Sequence, residues 1–271
     1  MIITADLVYY KPESVEELIQ CVTALSDKGV RFTYYSGGTE IVSALRQNKL
    51  QTDALVDIKG VQALTDITET NDEWVIGAAV PLNQIIDQMP DSLLAKVCGK
   101  IADRTIRNVL TIGGNLCGRL PYREAVLPLI GMDVEVVVLR EGQLIRKKLS
   151  EIFDKRMLLT NNALLYQIIL PKRAFKWNFH RRFTESIGVD YPTVHMVAMA
   201  TENQVTIGLS GFASFPVYKM MPIDEFNSIK HSLEALVDGL IHQAKTDERC
   251  SAEYRVHLLK TALTEWLEVV S

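Results

Sequence analysis

Two pairs of adjacent glycines stand where the phosphates of a cofactor could be held. Gly37-Gly38 lies between a β-rich run and a helical pattern that begins near Thr39. The backbone N–H groups of residues 37 to 40 can therefore point into one space at a helix N-terminus, as in an anion nest. Glycine has no Cβ, so a diphosphate can approach this backbone closely. The competing interpretation is an ordinary strand-to-helix turn.

The second pair, Gly113-Gly114, lies in TIGGN at 111 to 115 and is predicted to be a turn with a helix on either side. The competing interpretation here is a tight connection. Neither segment continues as a G-K-S/T phosphate loop or reads G-x-G-x-x-G, which disfavours a Rossmann site. Two glycine nests in one domain suit the two ends of a diphosphate. They favour a dinucleotide cofactor on an unusual fold.

Other reactive side chains form no recognisable site. The four cysteines, Cys21, Cys98, Cys117 and Cys250, are far apart and make no C-x-x-C pair, so reduced thiols are expected. The five histidines do not cluster with acids at metal spacing and are expected at the surface or in packing. We expect neither a metal site nor a catalytic side chain. We also expect no Cys or His beside the glycine pairs, so a cofactor held there should bind non-covalently.

The first glycine pair is flanked by local signals for alternating strands and helices. Residues 14 to 28 have Ser14 and Glu17 in capping-box spacing, apolar residues at helical intervals and a stop at Gly29. A β-rich run at 31 to 35, a helical pattern at 41 to 47 and an apolar run at 54 to 58 follow. Strand, helix and strand in this order predict an α/β subdomain with parallel strands, about 1–60.

The order of predicted strands and helices changes after this subdomain. Strand-like runs at 74 to 80, 134 to 140, 143 to 149 and 163 to 170, with helices at 91 to 103 and near 124 to 131, predict an antiparallel-sheet subdomain over 61–173. Pro171 closes the last strand and marks the best domain boundary. Beyond it, runs at 177 to 183, 195 to 201 and 205 to 213 and helices at 223 to 245 and 251 to 270 predict a smaller domain over 174–271, a three-strand sheet plus helices. The fold class is α+β.

Size and charge narrow the function classes. The 271 residues are 48% hydrophobic, and 29 Lys+Arg against 33 Asp+Glu give a formal net charge of -4. Nucleic acid and anionic membranes are therefore poor candidate partners. The first residues lack a basic segment and an apolar core of signal length, and no apolar stretch is long enough to span a bilayer. We expect a cytoplasmic protein.

The chain resembles a known family, the FAD-binding medium subunits of molybdenum hydroxylases. YYSGGTEIVSALR is similar to the first flavin loop of that family, written A-G-G-T-D-L, and TIGGNLCGRLPYREAVLPLIG is similar to the second. The order of FHRRFTESIGVDYPTVHMVAMA, VTIGLSGFASFPV and SAEYRVHLLKTAL is that of the family's C-terminal domain. The resemblance extends over essentially the whole chain.

The resemblance implies the fold, the cofactor and the site. The N-terminal domain would be of the vanillyl-alcohol-oxidase, or PCMH, type and would bind FAD. One flank of the diphosphate would be held by Tyr34, Tyr35, Ser36, Gly37, Gly38, Thr39, Glu40 and Ile41, and the other by Thr111, Gly113, Gly114 and Asn115. Glu124 would lie near the ribityl chain, Ile101 and Leu165 would form apolar wall, and Arg182, Asp190 and Tyr191 would approach the flavin ring.

The implied function is electron transfer in an oxidoreductase complex of the xanthine dehydrogenase or carbon monoxide dehydrogenase type. A molybdopterin subunit would oxidise the substrate, a [2Fe-2S] subunit would pass the electrons on, and FAD here would deliver them to an acceptor, whether NAD, oxygen or a quinone. The family spacer A-N-A-S-P-A-A-D reads CGRLPYRE here, so the acid is Glu124 and Arg119 and Arg123 are added. Two alternatives stay open: a stand-alone flavin reductase, and a non-catalytic member that has lost FAD.

Overall fold

A computed structural model describes residues 6–160, 162–172 and 175–270. Contacts between Cα atoms divide the chain into two compact units. The first, unit 1, comprises residues 1–87, 104–119 and 134–171, and the second, unit 2, comprises 88–103, 120–133 and 172–271. The predicted division of the chain into domains 1–173 and 174–271 stays a prediction, and Arg173 lies outside the described residues.

Strands and helices alternate along the first part of the chain, and longer strands follow. The strands are β1 Val8–Tyr10, β2 Phe32–Tyr35, β3 Ala54–Asp57, β4 Ile67–Glu69, β5 Glu73–Gly77, β6 Glu135–Arg140, β7 Gln143–Lys148, β8 Phe153–Asp154, β9 Arg156–Met157, β10 Leu164–Pro171, β11 Trp177–Thr184, β12 Pro192–Ala200, β13 Gln204–Ser210 and β14 Val217–Pro222. The helices are α1 Val15–Asp27, α2 Thr39–Arg46, α3 Gln62–Thr65, α4 Leu82–Gln88, α5 Leu93–Cys98, α6 Arg104–Arg107, α7 Ile112–Cys117, α8 Val126–Gly131, α9 Leu149–Ile152, α10 Ile223–Ile229, α11 Leu233–Val237 and α12 Ala252–Val270.

Unit 1 begins with a parallel sheet of order β1-β3-β2. All of β3 is buried, as expected for the central strand, and β2 pairs with it from Phe32 opposite Ala54 to Tyr35 opposite Asp57. The predicted parallel strands are confirmed, and β1 adds an edge strand that the pattern did not predict. Parallel pairing brings the carboxyl ends of β2 and β3 to the same edge of the sheet.

Helix α1 follows its sequence signals closely. The Ser14 hydroxyl accepts the N–H of Glu17 at 3.1 Å, which satisfies one of the unpaired donors of the first turn. Leu18 and Leu25 are buried, so the apolar stripe faces the core of unit 1. Gly29 has φ 66°, a left-handed conformation that ends the helix.

Unit 1 also contains an antiparallel sheet of order β4-β5-β10-β6-β7. Strand β10 pairs with both β5 and β6, which makes it a central strand. Ile76, Val136 and Ile168, from these three strands, are fully buried. The predicted antiparallel sheet is therefore present, and the α+β class is confirmed.

Unit 2 contains an antiparallel sheet of order β11-β12-β13-β14 in the part of the chain that is described. All of β12 is buried, because α8 packs against β12 and β13 while α12 packs against β11 and β12. Strand β14 was not predicted. A proline precedes it at 216, another is its last residue at 222, and Val217 and Met221 are its buried residues, so this short segment resembled a loop in sequence.

The helices of unit 2 also differ in part from the pattern. The predicted helix over 223 to 245 is wrong, because this stretch contains α10, α11 and a 3-10 turn at Ile241–Gln243. The predicted C-terminal helix is confirmed as α12. Its Arg255 is fully buried and donates to the carbonyl oxygens of Lys245, Thr193 and Gly211. Among the described residues, no helix is long and apolar enough to cross a bilayer.

Candidate cofactor-binding site

The first glycine pair connects β2 to α2. Gly38 is the N-cap of α2 and has φ 70°, a left-handed conformation that residues with a Cβ rarely adopt. No side chain caps this helix end. The first N–H groups of any α-helix lack a carbonyl partner within that helix, which is why a helix start such as that of α2 suits an anion.

Gly37 is glycine for a different reason. A Cβ at this position would lie 1.9 Å from the carbonyl oxygen of Val109, far inside contact distance. The first glycine segment is thus pressed against the chain that leads to the second one. Only glycine permits this approach.

The second glycine pair is not a turn between two helices, so that prediction is wrong. Gly113 and Gly114 lie inside α7, and Thr111 is its N-cap, with the Thr111 hydroxyl accepting the N–H of Gly114 at 3.1 Å. A Cβ on Gly113 would lie 2.6 Å from the carbonyl oxygen of Ala78. Close packing of α7 on the chain at Ala78 explains why residue 113 is a glycine. The local sequence does not reveal this contact.

A hydrogen bond joins the two glycine segments. The hydroxyl oxygens of Ser36 and Thr111 are 2.9 Å apart. Thr111 is buried, and the bond as a whole is partly buried. The start of α2 and the start of α7 are therefore fixed to each other inside unit 1.

Both segments line an open cleft of unit 1 with a volume of about 330 Å³. Its size falls within the range of about 300–1,000 Å³ typical of small-molecule sites. Of the residues predicted for the cofactor, the cleft is lined by Tyr34, Ser36, Gly37, Gly38, Thr39, Glu40, Ile41, Thr111, Gly113, Gly114 and Leu165. Apolar side chains that the sequence did not single out complete the wall: Ala44, Leu50, Ile58, Leu110, Leu159 and Leu164.

Two predicted residues of unit 1 lie beside the cleft without lining it. The ring of Tyr35 packs under the ammonium group of Lys59, 4.4 Å from ring centroid to Nζ. Asn115 is buried inside α7, where its N–H donates to the carbonyl oxygen of Thr111. Their assignment to the cofactor stays a prediction.

The charged groups of the cleft lie near its glycines. The Glu40 carboxylate accepts the backbone N–H of Arg119 at 2.8 and 3.0 Å, which ties α2 to the residues after α7. Arg119 is exposed and lines the cleft, where a guanidinium can pair with phosphate oxygens. Cys117 also lines the cleft and is exposed, so the expectation of no cysteine beside the glycine pairs is wrong. The spacing of Cys117 from Gly113, one helical turn, was the available signal.

The residues present fit a dinucleotide such as FAD. A left-handed glycine at an uncapped helix start and an exposed arginine suit a diphosphate. The leucine and isoleucine walls suit the apolar face of an aromatic ring. Side chains at Gly37 or Gly38 would alter this backbone, since each would begin within 2.5 Å of another atom.

The remaining predicted residues belong to unit 2, where most of them form one buried charge cluster. The Glu124 carboxylate accepts a hydrogen bond from Nε of Arg182 at 2.8 Å and lies 2.5 Å from Nδ1 of His195. Arg182 also donates to the carbonyl oxygen of Asp190 at 2.6 Å. Burial acts to raise the pKa of Glu124, but the hydrogen bonds from His195 and Arg182 outweigh it and lower that pKa.

Asp190 is the centre of a second ion pair in this cluster. Arg249 contacts both carboxylate oxygens of Asp190 at 2.7 Å. This pair and the N–H of Ser186 lower the pKa of Asp190 to about 2. Tyr191 stacks on Tyr122 with ring centroids 4.5 Å apart. Ile101 is buried in unit 2.

His195 and Arg249 are the members of the cluster that sequence reasoning missed. His195 is fully buried and bonds an acid 71 residues away in the chain, so no local spacing announces it. Arg249 lies 59 residues from Asp190. The assignment of Ile101, Glu124, Arg182, Asp190 and Tyr191 to the cofactor rests on the resemblance and stays a prediction.

Curated proteins similar to this chain include oxidoreductases and their subunits. The carbon monoxide dehydrogenase medium chain of Hydrogenophaga pseudoflava is 30% identical over 138 residues, 49% of this chain and 46% of that protein. An indole-3-acetaldehyde oxidase of Zea mays is 26% identical over 194 residues, 68% of this chain and 13% of that protein. The matched segments thus span about half the length of the medium chain and a small part of the oxidase.

A solved structure extends the likeness to the fold of the whole chain. A chain of carbon monoxide dehydrogenase from Hydrogenophaga pseudoflava has a TM-score of 0.82 to this one at 22% identity, covering 99% of this chain and 98% of that chain. A sequence model of the family described as "FAD binding domain in molybdopterin dehydrogenase" matches residues 4–173, more than half of the chain. The protein therefore belongs to the family of FAD-binding domains of molybdopterin dehydrogenases, and FAD is the cofactor of that family.

Proposed function

We propose that this chain is the FAD-carrying electron-transfer subunit of a molybdenum hydroxylase complex. Electrons would come from a [2Fe-2S] subunit, which takes them from a molybdopterin subunit that oxidises the substrate, and would leave for NAD, oxygen or a quinone. The observation that carries the proposal is the cleft of unit 1, where the uncapped start of α2 meets a second glycine segment. The expected cytoplasmic location is part of this proposal.

The residues of the cleft would bind and orient the cofactor. The N–H groups at the start of α2 and the positive end of its dipole would hold the diphosphate. Thr111 would keep α7 and the first glycine segment at a fixed separation through its bond to Ser36. The apolar wall, including Leu165, would exclude water from the bound ring. When bound, FAD supplies the electron-accepting and electron-donating chemistry.

The site offers little for an independent reaction of this chain. Among the described residues, no group of three or more His, Cys, Asp or Glu is placed to hold a metal ion. The polar side chains that line the cleft suit binding and orientation, and Glu40 is engaged by the backbone of Arg119. These features support a subunit that holds a cofactor, while substrate chemistry takes place on a partner.

The test is flavin reduction with and without partners. The FAD-loaded chain alone should be inert toward xanthine and aldehydes. After addition of a [2Fe-2S] subunit and a molybdopterin subunit of this enzyme class, the same substrates should bleach its flavin absorbance. Turnover by the isolated chain would contradict the proposal and favour a stand-alone flavoenzyme. A chain that takes up no FAD would favour a scaffold that has lost it.

A further inference from the structure

A buried carboxylate and a lysine lie directly behind the first glycine segment of unit 1. Lys59 follows β3, in the 3-10 turn Ile58–Gly60. Its Nζ donates to Oδ1 of Asp57 at 2.7 Å and to the carbonyl oxygen of Ser36 at 2.8 Å. The ammonium group also lies over the ring of Tyr35. Lys59 therefore joins the carboxyl ends of β3 and β2.

The Asp57 carboxylate is buried and accepts hydrogen bonds from Lys59 and Tyr9. Its side chain is 3% exposed, and Oδ1 also accepts the N–H of Lys59 at 2.9 Å. The phenol of Tyr9 donates to Oδ2. Burial alone would raise the pKa of Asp57, but the hydrogen bonds from Lys59 and Tyr9 lower it, so the carboxylate stays charged. A charged, fixed acceptor in turn fixes the ammonium group of Lys59.

The bond to Ser36 controls the orientation of a peptide group in the glycine segment. The carbonyl of Ser36 and the N–H of Gly37 belong to one planar trans peptide and point in opposite directions. Anchoring the carbonyl on Lys59 therefore also fixes the direction of the Gly37 N–H. The Ser36 side chain is held separately, by Thr111. Ser36 and Gly37 both line the cleft, whereas Lys59 does not.

We propose that Lys59, held by Asp57, is a positioning residue that presets the first glycine segment for FAD. This inference rests on the proposed FAD site. The charge of Lys59 is neutralised by Asp57 at 2.7 Å, so its role is geometric and differs from that of a phosphate counter-charge. A segment preset in its binding conformation spares the ordering cost of binding, and the loss of Lys59 makes FAD bind more weakly.

The test is a titration of the full apo chain with FAD, in which flavin fluorescence reports binding. Lys59→Met should raise the Kd for FAD about tenfold or more, the size expected for losing a charge-assisted hydrogen bond. Lys59→Arg, which keeps a cationic donor, should restore most of the affinity. Lys49→Met, at an exposed lysine that does not line the cleft, is the matched control and should bind like the wild type.

Asp57→Asn separates positioning from charge. It leaves Lys59 charged but loosely held, so positioning predicts weaker FAD binding, whereas simple attraction to phosphate predicts equal or tighter binding. Tyr9→Phe, a milder change to the same carboxylate, should weaken binding in the same direction even if Asp57→Asn folds poorly. Wild-type affinity in Lys59→Met, or equal or tighter binding in a folded Asp57→Asn, overturns the inference. If the wild type itself takes up no FAD, the proposed function fails instead.

Discussion

The glycines of the cleft differ in what they require of the backbone. Gly38 requires a left-handed conformation, while Gly37 requires space for a neighbouring carbonyl. Gly114 is helical, and a Cβ there would lie 2.8 Å from the Thr111 hydroxyl that caps α7. Substitutions at these positions therefore test different parts of the site, the conformation of one segment and the cap of the other.

Gly38→Ala should weaken FAD binding more than it weakens folding. A left-handed alanine costs about 1 kcal/mol, and its Cβ would lie 2.5 Å from the Tyr35 hydroxyl, so either the Tyr35 ring or the glycine segment must shift. Gly29→Ala is the matched control, because Gly29 has φ +66° with nothing within 4 Å of an added Cβ. Thermal unfolding and FAD titration of both variants distinguish the effects. Equal FAD affinity in the two variants would contradict the assigned role of Gly38.

Cys117 is a natural reporter of the cleft. Its thiol is exposed and lines the cleft, whereas Cys98 is buried and Cys21 and Cys250 are half-buried elsewhere. Bound FAD should slow alkylation of Cys117 by iodoacetamide, since the cofactor would cover it, and should leave Cys21 and Cys250 unchanged. Peptide mass spectrometry after timed labelling measures each site. Labelling of Cys117 at the same rate with and without FAD would place the cofactor elsewhere.

Protonation of Asp190 should lower the free energy of unfolding at acid pH. Its pKa is lowered from 3.8 to about 2, first by the hydrogen bond from Arg249. A depressed pKa in the folded chain stabilises it above pH 3.8, and this contribution is lost as the pH falls from about 4 toward 2.

Denaturant unfolding between pH 7 and pH 2 measures this contribution. Asp190→Asn should be less stable than the wild type at pH 7, and the difference between the two should shrink below pH 4. Asp224→Asn, at an exposed aspartate in α10, is the control. If the free energies of unfolding of the wild type and Asp190→Asn differ by the same amount at every pH, the ion pair with Arg249 does not stabilise the fold.

At the scale of elements, the cap of α7 holds two parts of the site together. Thr111→Val removes the oxygen that accepts from Gly114 and contacts Ser36, and should cost about 1 kcal/mol of stability as well as FAD affinity. Thr111→Ser keeps the oxygen and should behave like the wild type. Denaturant unfolding and FAD titration check both effects. An unchanged FAD affinity in Thr111→Val would mean that FAD binding does not depend on the hydrogen bond between Ser36 and Thr111.

Elements with strong local signals were predictable from the sequence. Helix α1 has a capping serine and a terminal glycine, and β2, α2 and β3 follow one another with short connections. The first glycine segment of the site was predictable for the same reason. Gly38 itself supplies the left-handed angle, whereas the contacts of Ser36 and Gly37 with Lys59, Thr111 and Val109 come from distant parts of the chain.

Features that depend on distant contacts were not predictable. The place of Gly113 inside α7 depends on Ala78, and strand β14 is recognisable only by its pairing with β13. The cluster of Glu124, Arg182 and His195 joins residues 58 and 71 positions apart. A single sequence carries no periodic signal for such pairs, so the buried histidine looked like any packing residue.

At the scale of the whole molecule, the segment shared with the family covers residues from both units. Residues 4–173 include all but the first three residues of unit 1 and also 88–103, 120–133 and 172–173 of unit 2. The glycine cleft belongs to unit 1 and the Glu124 cluster to unit 2. Variants in the two units therefore test the cofactor assignment independently.

The most direct test of the central claim is the absorbance spectrum of the purified chain before and after incubation with FAD. We expect a yellow protein, or one that becomes yellow on reconstitution, with equimolar FAD. This FAD should be released intact on denaturation, without a covalent bond to Cys117 of the cleft. Gly38→Ala should retain less FAD than Gly29→Ala under the same conditions. A folded wild-type chain that stays colourless and takes up no FAD would contradict the account.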